Sequence, residues 1–464
     1  KYQPGWVMPN NFVGPSSQTL QMRNIMKPGE NSTIPTILKN YTVTDKADGD
    51  RKLLYIDTKG SIYLIDTNMN VVFTGAKTSN DDLFESLLDG EHIKNSKTGS
   101  ALNLYAAFDI YFIKKKSTRE FAFYNNDTTN IESLKNKYRL SLLKQFIEQL
   151  NFPNACDFTV KCKIFYSDSP DTTIFQSCSK ILSDIEDGIY EYNSDGLIFT
   201  PCNTAVASDK VGVAGKLNKP LWEQSFKWKP SEFNTIDFLV SMKKDKSGKD
   251  EIHNIFQDGK NVQSGKNLIQ YKTLILRCGY DELDRRHGFI NPYEDIIQNR
   301  IIEYDTVSNR DRYKPVPFQP TNPYDPKACY ANMLLVEDGS SELSMFTTEG
   351  EYFEGDMIVE FSYDITKPVG WRWIPLRVRY DKTAELKSGL KNYGNAYHVA
   401  NSNWQSIHQP ITKEMISKGH NIPEYIEEVG EEENGEANEG VYYNRGGIES
   451  NLTRSLRDFH NLYV

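Results

Sequence analysis

Two alternating segments around a glycine turn constrain the fold of this chain most strongly. Residues 52–57 and 61–66 alternate apolar and polar side chains, and Thr58-Lys59-Gly60 between them is typical of a β-hairpin turn. Similar strand-like runs recur at residues 101–113, 195–200 and 225–229, and helical spacing is present at residues 81–88, 130–150 and 171–186. This mixture predicts an α+β fold of antiparallel sheets with helices.

The length of 464 residues is too great for one ordinary core and predicts two or three domains. We expect an N-terminal extension (1–40) that packs on a catalytic domain (41–232). After Pro230 the chain changes to short strands with turn residues, which predicts an OB-type β-barrel domain over 233–385, with an insertion at about 284–325. An irregular extension (386–426) and an acidic linker (427–440) follow.

Charge and cysteine content exclude several classes of protein. The net charge is −9, but seven glutamates lie between residues 427 and 439, so the rest of the chain carries only −2 and basic clefts remain possible. Lysine runs at 114–116 and 243–246 are candidate RNA-binding patches, although solvated loops are the simpler interpretation. The six cysteines form no Cys-x-x-Cys pair, so zinc is not expected. No apolar run is long enough for a membrane span.

The segment Lys46-Ala-Asp48-Gly49-Asp-Arg51 has the spacing Lys-x-Asp-Gly-x-Arg directly after an extended apolar approach. An ammonium group is a poor nucleophile, and burial or neighbouring cations favour the reactive neutral amine. Gly49 permits a close backbone approach, and Arg51 can donate several hydrogen bonds to ribose or phosphate oxygens. The segment therefore predicts a lysine that attacks a phosphate, although an ordinary surface turn could have a similar sequence.

Further motifs follow in a fixed order. They are Asp89-Gly90-Glu91, Ala107-Phe108-Asp109, Ser194-Asp195-Gly196, Ser225-Phe226-Lys227-Trp228-Lys229-Pro230 and, much later, Arg377-Val-Arg379-Tyr-Asp381-Lys382. Together with Lys46 they resemble the covalent nucleotidyltransferases, which comprise mRNA capping guanylyltransferases and ATP- or NAD-dependent polynucleotide ligases. The resemblance covers most of the chain, and each later motif alone is weak.

The resemblance implies a role for each matching residue. Lys46 would be the nucleophile that attacks the α-phosphate of a nucleoside triphosphate. Contacts to the ribose or phosphates are implied for Arg51, Asp48, Asp89 and Glu91, and stacking on the base is implied for Phe108. A divalent metal would be bound by Asp195 and Glu91, and the α-phosphate would be contacted by Lys227 and Lys229. Pyrophosphate would be oriented by Arg377, Arg379, Asp381 and Lys382. A core position in an apolar strand is the alternative for Phe108.

Three features favour a capping enzyme over a ligase. Phe226-Lys-Trp-Lys-Pro230 and Arg379-x-Asp381-Lys382 resemble the capping forms of their motifs, although the usual Pro-Asn continuation is replaced by Thr383-Ala384. Residues 456–461 resemble the entry to the cap methyltransferase domain of viral capping enzymes. The chain thus resembles the guanylyltransferase module of a multifunctional capping enzyme from a large DNA virus. An ATP-dependent polynucleotide ligase and an RNA-binding scaffold of the same fold remain the alternatives.

The resemblance also implies substrates and partners. The substrates would be GTP and the 5′-diphosphate end of RNA, and the cofactor Mg²⁺ or Mn²⁺. Because the sequence lacks an initiator Met, we expect a piece of a longer polypeptide that also holds RNA triphosphatase and cap methyltransferase domains, with residues 441–464 leading towards the latter. No membrane contact is expected, and the expected location is cytoplasmic, in the viral factory or virion of a large DNA virus.

Overall fold

The computed structural model describes residues 11–29, 32–125, 137–153, 156–218, 221–256, 268–281, 313–337, 343–426 and 442–443. The described residues fall into two compact units, unit 1 within 1–228 and 412–464 and unit 2 within 229–411. Each unit consists mainly of antiparallel sheets with few helices. The prediction of a mixed, sheet-rich fold is therefore confirmed at this level. Among the described residues, no helix has the length and apolar character needed to cross a membrane.

Among the described residues up to Trp228, unit 1 contains two sheets and two α-helices. Its strands are β1 (Ser16–Thr19), β2 (Tyr41–Ala47), β3 (Asp50–Ile56), β4 (Ser61–Asp66), β5 (Val71–Lys77), β6 (Ser86–Asn95), β7 (Ala101–Ile113), β8 (Lys116–Ser117), β9 (Thr159–Cys162), β10 (Tyr166–Ser167), β11 (Ser194–Pro201) and β12 (Leu221–Trp228). The helices are α1 (Arg139–Gln149) and α2 (Ile174–Glu186), with 3₁₀ turns at Met22–Asn24 and Asp81–Leu83.

The first sheet of unit 1, sheet A, has the strand order β1-β12-β11-β2-β10, and sheet B has the order β5-β4-β3-β6-β7-β8 with β9 on β7. All pairings are antiparallel except β1 with β12 and β9 with β7. The hairpin of β3 and β4 forms as predicted. Asp57 Oδ1 accepts hydrogen bonds from the backbone N–H groups of Lys59 and Ser61, both at 2.8 Å, and Gly60 adopts the left-handed φ of 77° that the turn requires.

Helices cover the sheets of unit 1 through short apolar stripes. Helix α1 buries Leu140, Leu143 and Phe146 in the core of sheet B. Helix α2 begins with a capping box, in which Thr173 and Gln176 satisfy each other's backbone N–H groups. Part of the predicted helix at 130–150 lies outside the described residues, since these resume at residue 137.

Unit 2 begins after β12. It contains β13 (Ile236–Met242), β14 (Ile252–Phe256), β15 (Leu268–Asp281), β16 (Tyr313–Pro317), β17 (Tyr330–Leu334), β18 (Val336–Glu337), β19 (Leu343–Phe346), β20 (Tyr352–Phe353), β21 (Ile358–Tyr363), β22 (Trp373–Val378), α3 (Tyr380–Lys387) and α4 (Tyr397–His408), with a 3₁₀ turn at Ser231–Phe233. After α4 the chain returns to unit 1 through α5 (Lys413–Lys418), β23 (Tyr425–Ile426) and β24 (Tyr442–Tyr443).

The main sheet of unit 2, sheet C, has the order β14-β15-β13-β21-β22, and the long strand β15 also pairs with β16 and β17. One face of sheet C packs on an aromatic core that includes Phe238, Phe318, Phe361, Trp373 and Trp404. Several of these rings meet edge to face, for example Phe238 and Trp373 at 5.0 Å and 85°. The side chains that pack on this core therefore identify the inner face of sheet C, and the alternate side chains point to its other face.

The structure corrects three predictions from the sequence. Residues 81–88 do not form a helix, because only a 3₁₀ turn forms at Asp81–Leu83 and residues from Ser86 onward pair with β3. The extension at 386–426 is not irregular, since α4 buries Tyr397, Ala400 and Trp404 at helical spacing. Lys229 is not on a strand with Lys227, because β12 ends at Trp228.

Other predicted segments are only partly described. The predicted insertion at 284–325 is described from residue 313, where β16 pairs with β15 and Phe318 lies in the core. Residues 427–440 lie outside the described residues, as does 441–464 apart from Tyr442–Tyr443. Within the extension 1–40, residues 1–10 are also outside them, and β1 pairs with β12.

Candidate active site

Lys46 lies near the end of β2, with β11 and β10 as its neighbouring strands in sheet A. Its ammonium group donates a hydrogen bond to Asp195 Oδ1 at 2.7 Å, and both side chains are about a quarter exposed, at 24% and 26%. The antiparallel pairing of β2 with β11 brings Asp195 close, and an irregular register between Ser194 and Leu197 accompanies the approach. The two motifs that carry these residues thus meet at one strand end.

Lys46 lines a solvent-open cavity of about 150 Å³ within unit 1. Four predicted site residues line it together, namely Lys46, Arg51, Glu91 and Phe108. The remaining walls come from several strands and include Thr44, Asp109, Tyr111, Lys163, Ile198 and Trp222. The cavity combines apolar walls with a few charged groups, which is the usual character of a small-molecule site.

Arg51 is held in a fixed position at one side of this cavity. Its Nη2 and Nε donate to the two carboxylate oxygens of Asp89 at 2.5 and 3.1 Å, and its Nη1 donates to the carbonyl of Pro15 at 2.7 Å. Burial alone would lower the pKa of Arg51, but the ion pair with Asp89 raises it above its ordinary value. The guanidinium also lies 5.5 Å from the centre of the Phe108 ring.

Asp89 lies behind Arg51 and does not line the cavity. Its side chain is fully buried, and Tyr111 donates a third hydrogen bond to it at 2.5 Å, beside the two from Arg51. Gly14 permits this packing, since a Cβ there would lie 2.7 Å from Arg51 Nη2 and 2.9 Å from Asp89 Oδ2. Asp89 therefore orients Arg51, whereas a direct contact to a ligand was the expectation from the sequence.

Glu91 is an acidic residue of the cavity wall whose pKa is displaced from its ordinary value. Burial raises the pKa of Glu91 to about 7, against the opposing influence of Lys163, Arg51 and Lys46. Gly49 packs directly on this side chain, because a Cβ at residue 49 would lie 2.9 Å from Glu91 Cγ. Near neutral pH this carboxyl group is therefore divided between its neutral and charged forms.

Lys163 was not found by sequence reasoning. It follows β9, whose parallel pairing with β7 places it beside Phe108, and its backbone N–H donates to the carbonyl of Ala107 at 2.9 Å. The ammonium donates to the Asp45 carbonyl at 2.5 Å and lies 3.1 Å from Asp45 Oδ2. Nothing in its local sequence identifies it, since its place depends on the pairing of distant strands.

Five predicted residues of unit 1 and its boundary are not among the described residues that line the cavity. Two of them, Asp89 and Asp195, contact the lining residues Arg51 and Lys46. Asp48 is exposed, and its backbone N–H donates to the Asn193 carbonyl at 2.9 Å. Lys227 is half-buried on β12, opposite Ile198. Lys229 is half-buried and belongs to the first residues of unit 2.

The late basic motif forms a separate cluster in unit 2. Arg379 Nη1 and Lys382 Nζ both donate to Asp237 Oδ2 at 2.6 Å, while Arg377 donates to Glu360 at 2.7 Å. Asp237 is buried on β13, whereas Asp381, which lies 3.2 Å from Arg379 Nη2, is 65% exposed. Sequence reasoning did not single out Asp237, the carboxylate on which two predicted cations converge.

The described residues contain no group of three or more His, Cys, Asp or Glu side chains placed to hold a metal ion. Asp195 pairs with Lys46, and Glu91 lines the cavity. Mg²⁺ commonly binds through one or two carboxylates and completes its shell with water and substrate phosphates. These two carboxylates therefore fit a metal that arrives with a nucleotide.

Comparison with known proteins gives one matching family. Residues 35–231 match the family described as mRNA capping enzyme, catalytic domain. The chain is 26% identical to the probable mRNA-capping enzyme of Acanthamoeba polyphaga mimivirus over 86% of its length and 33% of the relative. It is 24% identical to the mRNA-capping enzyme of African swine fever virus over 82% of its length and 35% of the relative. It thus spans about a third of the length of these curated relatives.

Among solved structures, the ligase domain from M. tuberculosis LigD aligns with 81% of this chain and 98% of its own length. The sequence identity is 11% and the TM-score is 0.30. A likeness of this size supports no argument about fold or function.

Proposed function

Because residues 35–231 match the mRNA capping enzyme catalytic-domain family, we propose that this chain is an mRNA guanylyltransferase. It would form a covalent lysine–GMP intermediate from GTP and transfer the GMP to the 5′-diphosphate end of RNA. The observation that carries the proposal is the position of Lys46, whose amine lines a cavity that also contains Arg51, Glu91 and Phe108.

In the first half-reaction the neutral amine of Lys46 attacks the α-phosphorus of GTP. An N–P bond forms, the bond between the α-phosphorus and the bridging oxygen breaks, and pyrophosphate leaves with that electron pair. The ammonium must first lose a proton, and Asp195, at 2.7 Å, is the group that accepts its hydrogen bond. Transfer of this kind depends mainly on positioning and charge neutralisation, and Arg51, held by Asp89, would contribute to the positioning.

The nucleoside would occupy the other side of the cavity. Phe108 presents an aromatic ring on which a base can stack, and Arg51 lies 5.5 Å from that ring. Lys163 donates one N–H to the Asp45 carbonyl, and its Nζ lies 3.1 Å from Asp45 Oδ2. Another N–H of the same ammonium would favour the O6 acceptor of guanine over the amino group of adenine. Glu91 would contact the ribose or the metal, as would Asp48 if it approaches the bound nucleotide.

Asp195 and Glu91 are the residues that would hold Mg²⁺ or Mn²⁺ together with the phosphates. Such an ion neutralises charge on the phosphate oxygens and increases the electrophilicity of phosphorus. Lys227 and Lys229 would contact the α-phosphate. In unit 2, which we propose to be an OB-type domain, Arg377, Arg379, Asp381 and Lys382 would orient the leaving pyrophosphate.

In the second half-reaction a terminal phosphate oxygen of diphosphate RNA attacks the same phosphorus, the N–P bond breaks and Lys46 is regenerated. RNA triphosphatase and cap methyltransferase activities on the same full-length polypeptide would precede and follow this step. The mimivirus and African swine fever virus relatives, about three times as long as the matched segment, support that arrangement. They also support a place in a viral factory or virion.

The test is covalent labelling with GTP that carries a radioactive α-phosphate, in parallel with labelled ATP. The wild-type chain should label with GTP in the presence of Mg²⁺ or Mn²⁺, and Lys46→Ala should not. Lys94→Ala is a matched control, because Lys94 is a 60% exposed lysine of unit 1 that pairs with Asp50.

The outcomes separate the alternatives. Equal or stronger labelling with ATP would indicate a polynucleotide ligase. Labelling that persists in Lys46→Ala would place the nucleophile elsewhere. A wild-type chain that binds RNA but labels with neither nucleotide would be an RNA-binding scaffold.

A further inference from the structure

The outward face of sheet C carries side chains that its core does not use. On β15, Leu274 and Leu276 are fully buried, so the alternate residues Tyr271, Thr273 and Ile275 point to the opposite face. Paired residues on the neighbouring strands share that face, among them Tyr330, which is 40% exposed. This face is thus partly apolar and open.

Three rings form a row across this face, and we call them the ring ladder: His253, Tyr271 and Trp371. His253 and Tyr271 are directly opposed on β14 and β15, with ring centres 5.2 Å apart and planes 28° apart. The Trp371 ring also contacts Tyr271, with ring centres 5.1 Å apart and planes 59° apart. The side chain of His253 is 38% exposed. Rings that contact one another in a row present stacking surfaces at little cost in side-chain entropy.

Cations accompany the ring ladder. Glu251 is an acidic residue beside it, and this carboxylate pairs with Lys243 at 2.9 Å and with His253 at 3.2 Å. Further along the same face, the Arg277 Nε donates to the hydroxyl of Ser241 at 3.0 Å, which holds a guanidinium group on this face. Aromatic rings with lysine and arginine beside them can stack on bases and contact phosphates. Such a surface suits a single-stranded nucleic acid better than an acidic or purely apolar partner.

The same face continues into the basic cluster of unit 2. Ser241, Leu239 and Asp237 alternate along β13, and Asp237 accepts the hydrogen bonds of Arg379 and Lys382. Helix α3 covers this end of the face, where Thr383 accepts a hydrogen bond from the backbone N–H of Ile358 at 3.0 Å. The ring ladder therefore lies on the same face of sheet C as Asp237 and Leu239, which are buried beneath α3 at the other end of β13.

We propose that the ring ladder, with Arg277 and Lys243, binds a single-stranded segment of the RNA acceptor. Bases stack on Tyr271 and its neighbours, while the cations contact the phosphates. The proposal rests on the proposed function for the identity of its ligand. Its measurement is RNA binding, which needs no nucleotide chemistry.

The experiment measures binding of a fluorescently labelled single-stranded RNA to the intact chain by anisotropy. Tyr271→Ala and Trp371→Ala should each weaken binding about tenfold, which is the order of one base–ring stack. Tyr271→Phe keeps a ring and should bind like the wild type. The matched control is Phe73→Ala, since Phe73 is a 48% exposed ring of unit 1 that contacts Tyr63.

A kinetic arm connects the surface to capping. Formation of the lysine–GMP adduct should be unchanged in Tyr271→Ala. The KM for diphosphate RNA should rise about tenfold with a long acceptor, for the same stacking reason, and should not change with an acceptor of only a few nucleotides.

RNA binding that is unchanged in both alanine variants, or reduced equally by Phe73→Ala, would overturn the proposal. If Tyr271→Ala left RNA binding unchanged but prevented another protein domain from binding to the chain, the ring ladder would be a protein-docking surface instead. A chain that forms no adduct but still loses RNA binding in these variants would refute the guanylyltransferase and retain the RNA surface.

Discussion

Each unit contains a buried carboxylate that positions arginine or lysine, and the two carboxylates are used differently. Asp89 in unit 1 forms a two-pronged ion pair with the single cation Arg51 and accepts a further hydrogen bond from Tyr111. Asp237 in unit 2 receives both Arg379 and Lys382 on one oxygen. The charge beside Asp89 is therefore balanced, whereas two cations share the buried charge of Asp237.

The different charge balance at Asp89 and at Asp237 indicates which part of a ligand each site can bind. A balanced pair such as Arg51 with Asp89 is a rigid support that can orient a neutral or weakly charged part of a ligand. Two cations on one buried carboxylate keep excess positive charge, because the charge of the 65% exposed Asp381 is largely screened by solvent. The cluster in unit 2 is accordingly the better partner for a highly charged anion such as pyrophosphate.

The largest effect should come from breaking the balanced pair. Asp89→Ala leaves the guanidinium of Arg51 without its buried partner, and we expect unfolding free energy to fall by about 3 kcal/mol. Chemical denaturation measures this loss. Asp50→Ala is the control, because Asp50 lies on the same strand as Arg51 and is 53% exposed in its ion pair with Lys94. This substitution should lower the free energy of unfolding by less than about 1 kcal/mol. Equal costs would contradict the comparison.

The next effect concerns the shared carboxylate. Arg379→Ala and Lys382→Ala should slow formation of the lysine–GMP adduct about a hundredfold, the usual loss when a donor to developing negative charge is removed. Transfer from preformed adduct to RNA should be spared, since pyrophosphate has already left. Asp237→Asn should produce the same split more weakly. Single-turnover assays of each half-reaction measure it, with Lys387→Ala on the same helix as the control.

Similar damage to both half-reactions would show that this cluster supports the fold or the RNA site. The comparison between the two carboxylates would then concern stability alone.

Much of the fold followed from local patterns. The hairpin of β3 and β4 has its turn chemistry in Asp57 and Gly60, and the capped helix α2 has its signals in Thr173 and Gln176, so each is encoded within a few residues. Helix α4 was missed because its Asn-, Ser- and His-containing sequence has only a short apolar stripe, which the core of unit 2 stabilises.

The candidate site divides in the same way. Lys46, Arg51, Glu91 and Phe108 were named from ordered motifs, and the structure brings them to one cavity. Lys163 and Asp237 could not be named, because their roles depend on pairing between strands far apart in sequence. The reassignment of Asp89 from ligand contact to support has the same cause, since burial behind Arg51 is a tertiary property.

A smaller effect should appear in the pH dependence of stability. The folded-state pKa of Glu91 is raised from 4.5 to about 7, so the folded chain binds more protons than the unfolded chain between these values. Stability is therefore fully present below the lower pKa and falls as pH rises through about 7. Discounted for solvent access, the loss should be about 2 kcal/mol.

Glu91→Gln should remove this decline and be more stable than the wild type at alkaline pH, while losing activity if the carboxylate contacts ribose or metal. Urea denaturation across the pH range measures the change. The 55% exposed Glu191 provides the control Glu191→Gln, which should leave the profile unaltered. A wild-type profile without the decline would show that Glu91 is ionised throughout.

The smallest effect should be on the choice between guanine and adenine. It tests whether Lys163, a cation that is held by Asp45, contacts the ligand directly. Lys163→Met combined with Asp45→Asn avoids a buried unpaired carboxylate and removes the ammonium donor. The ratio of GTP to ATP labelling should fall about tenfold, the value of one charged hydrogen bond of about 1.4 kcal/mol. Lys161→Met is the control, because Lys161 is 54% exposed in its pair with Glu191. An unchanged ratio would make Lys163, like Asp89, a support for the site and leave guanine recognition to other residues.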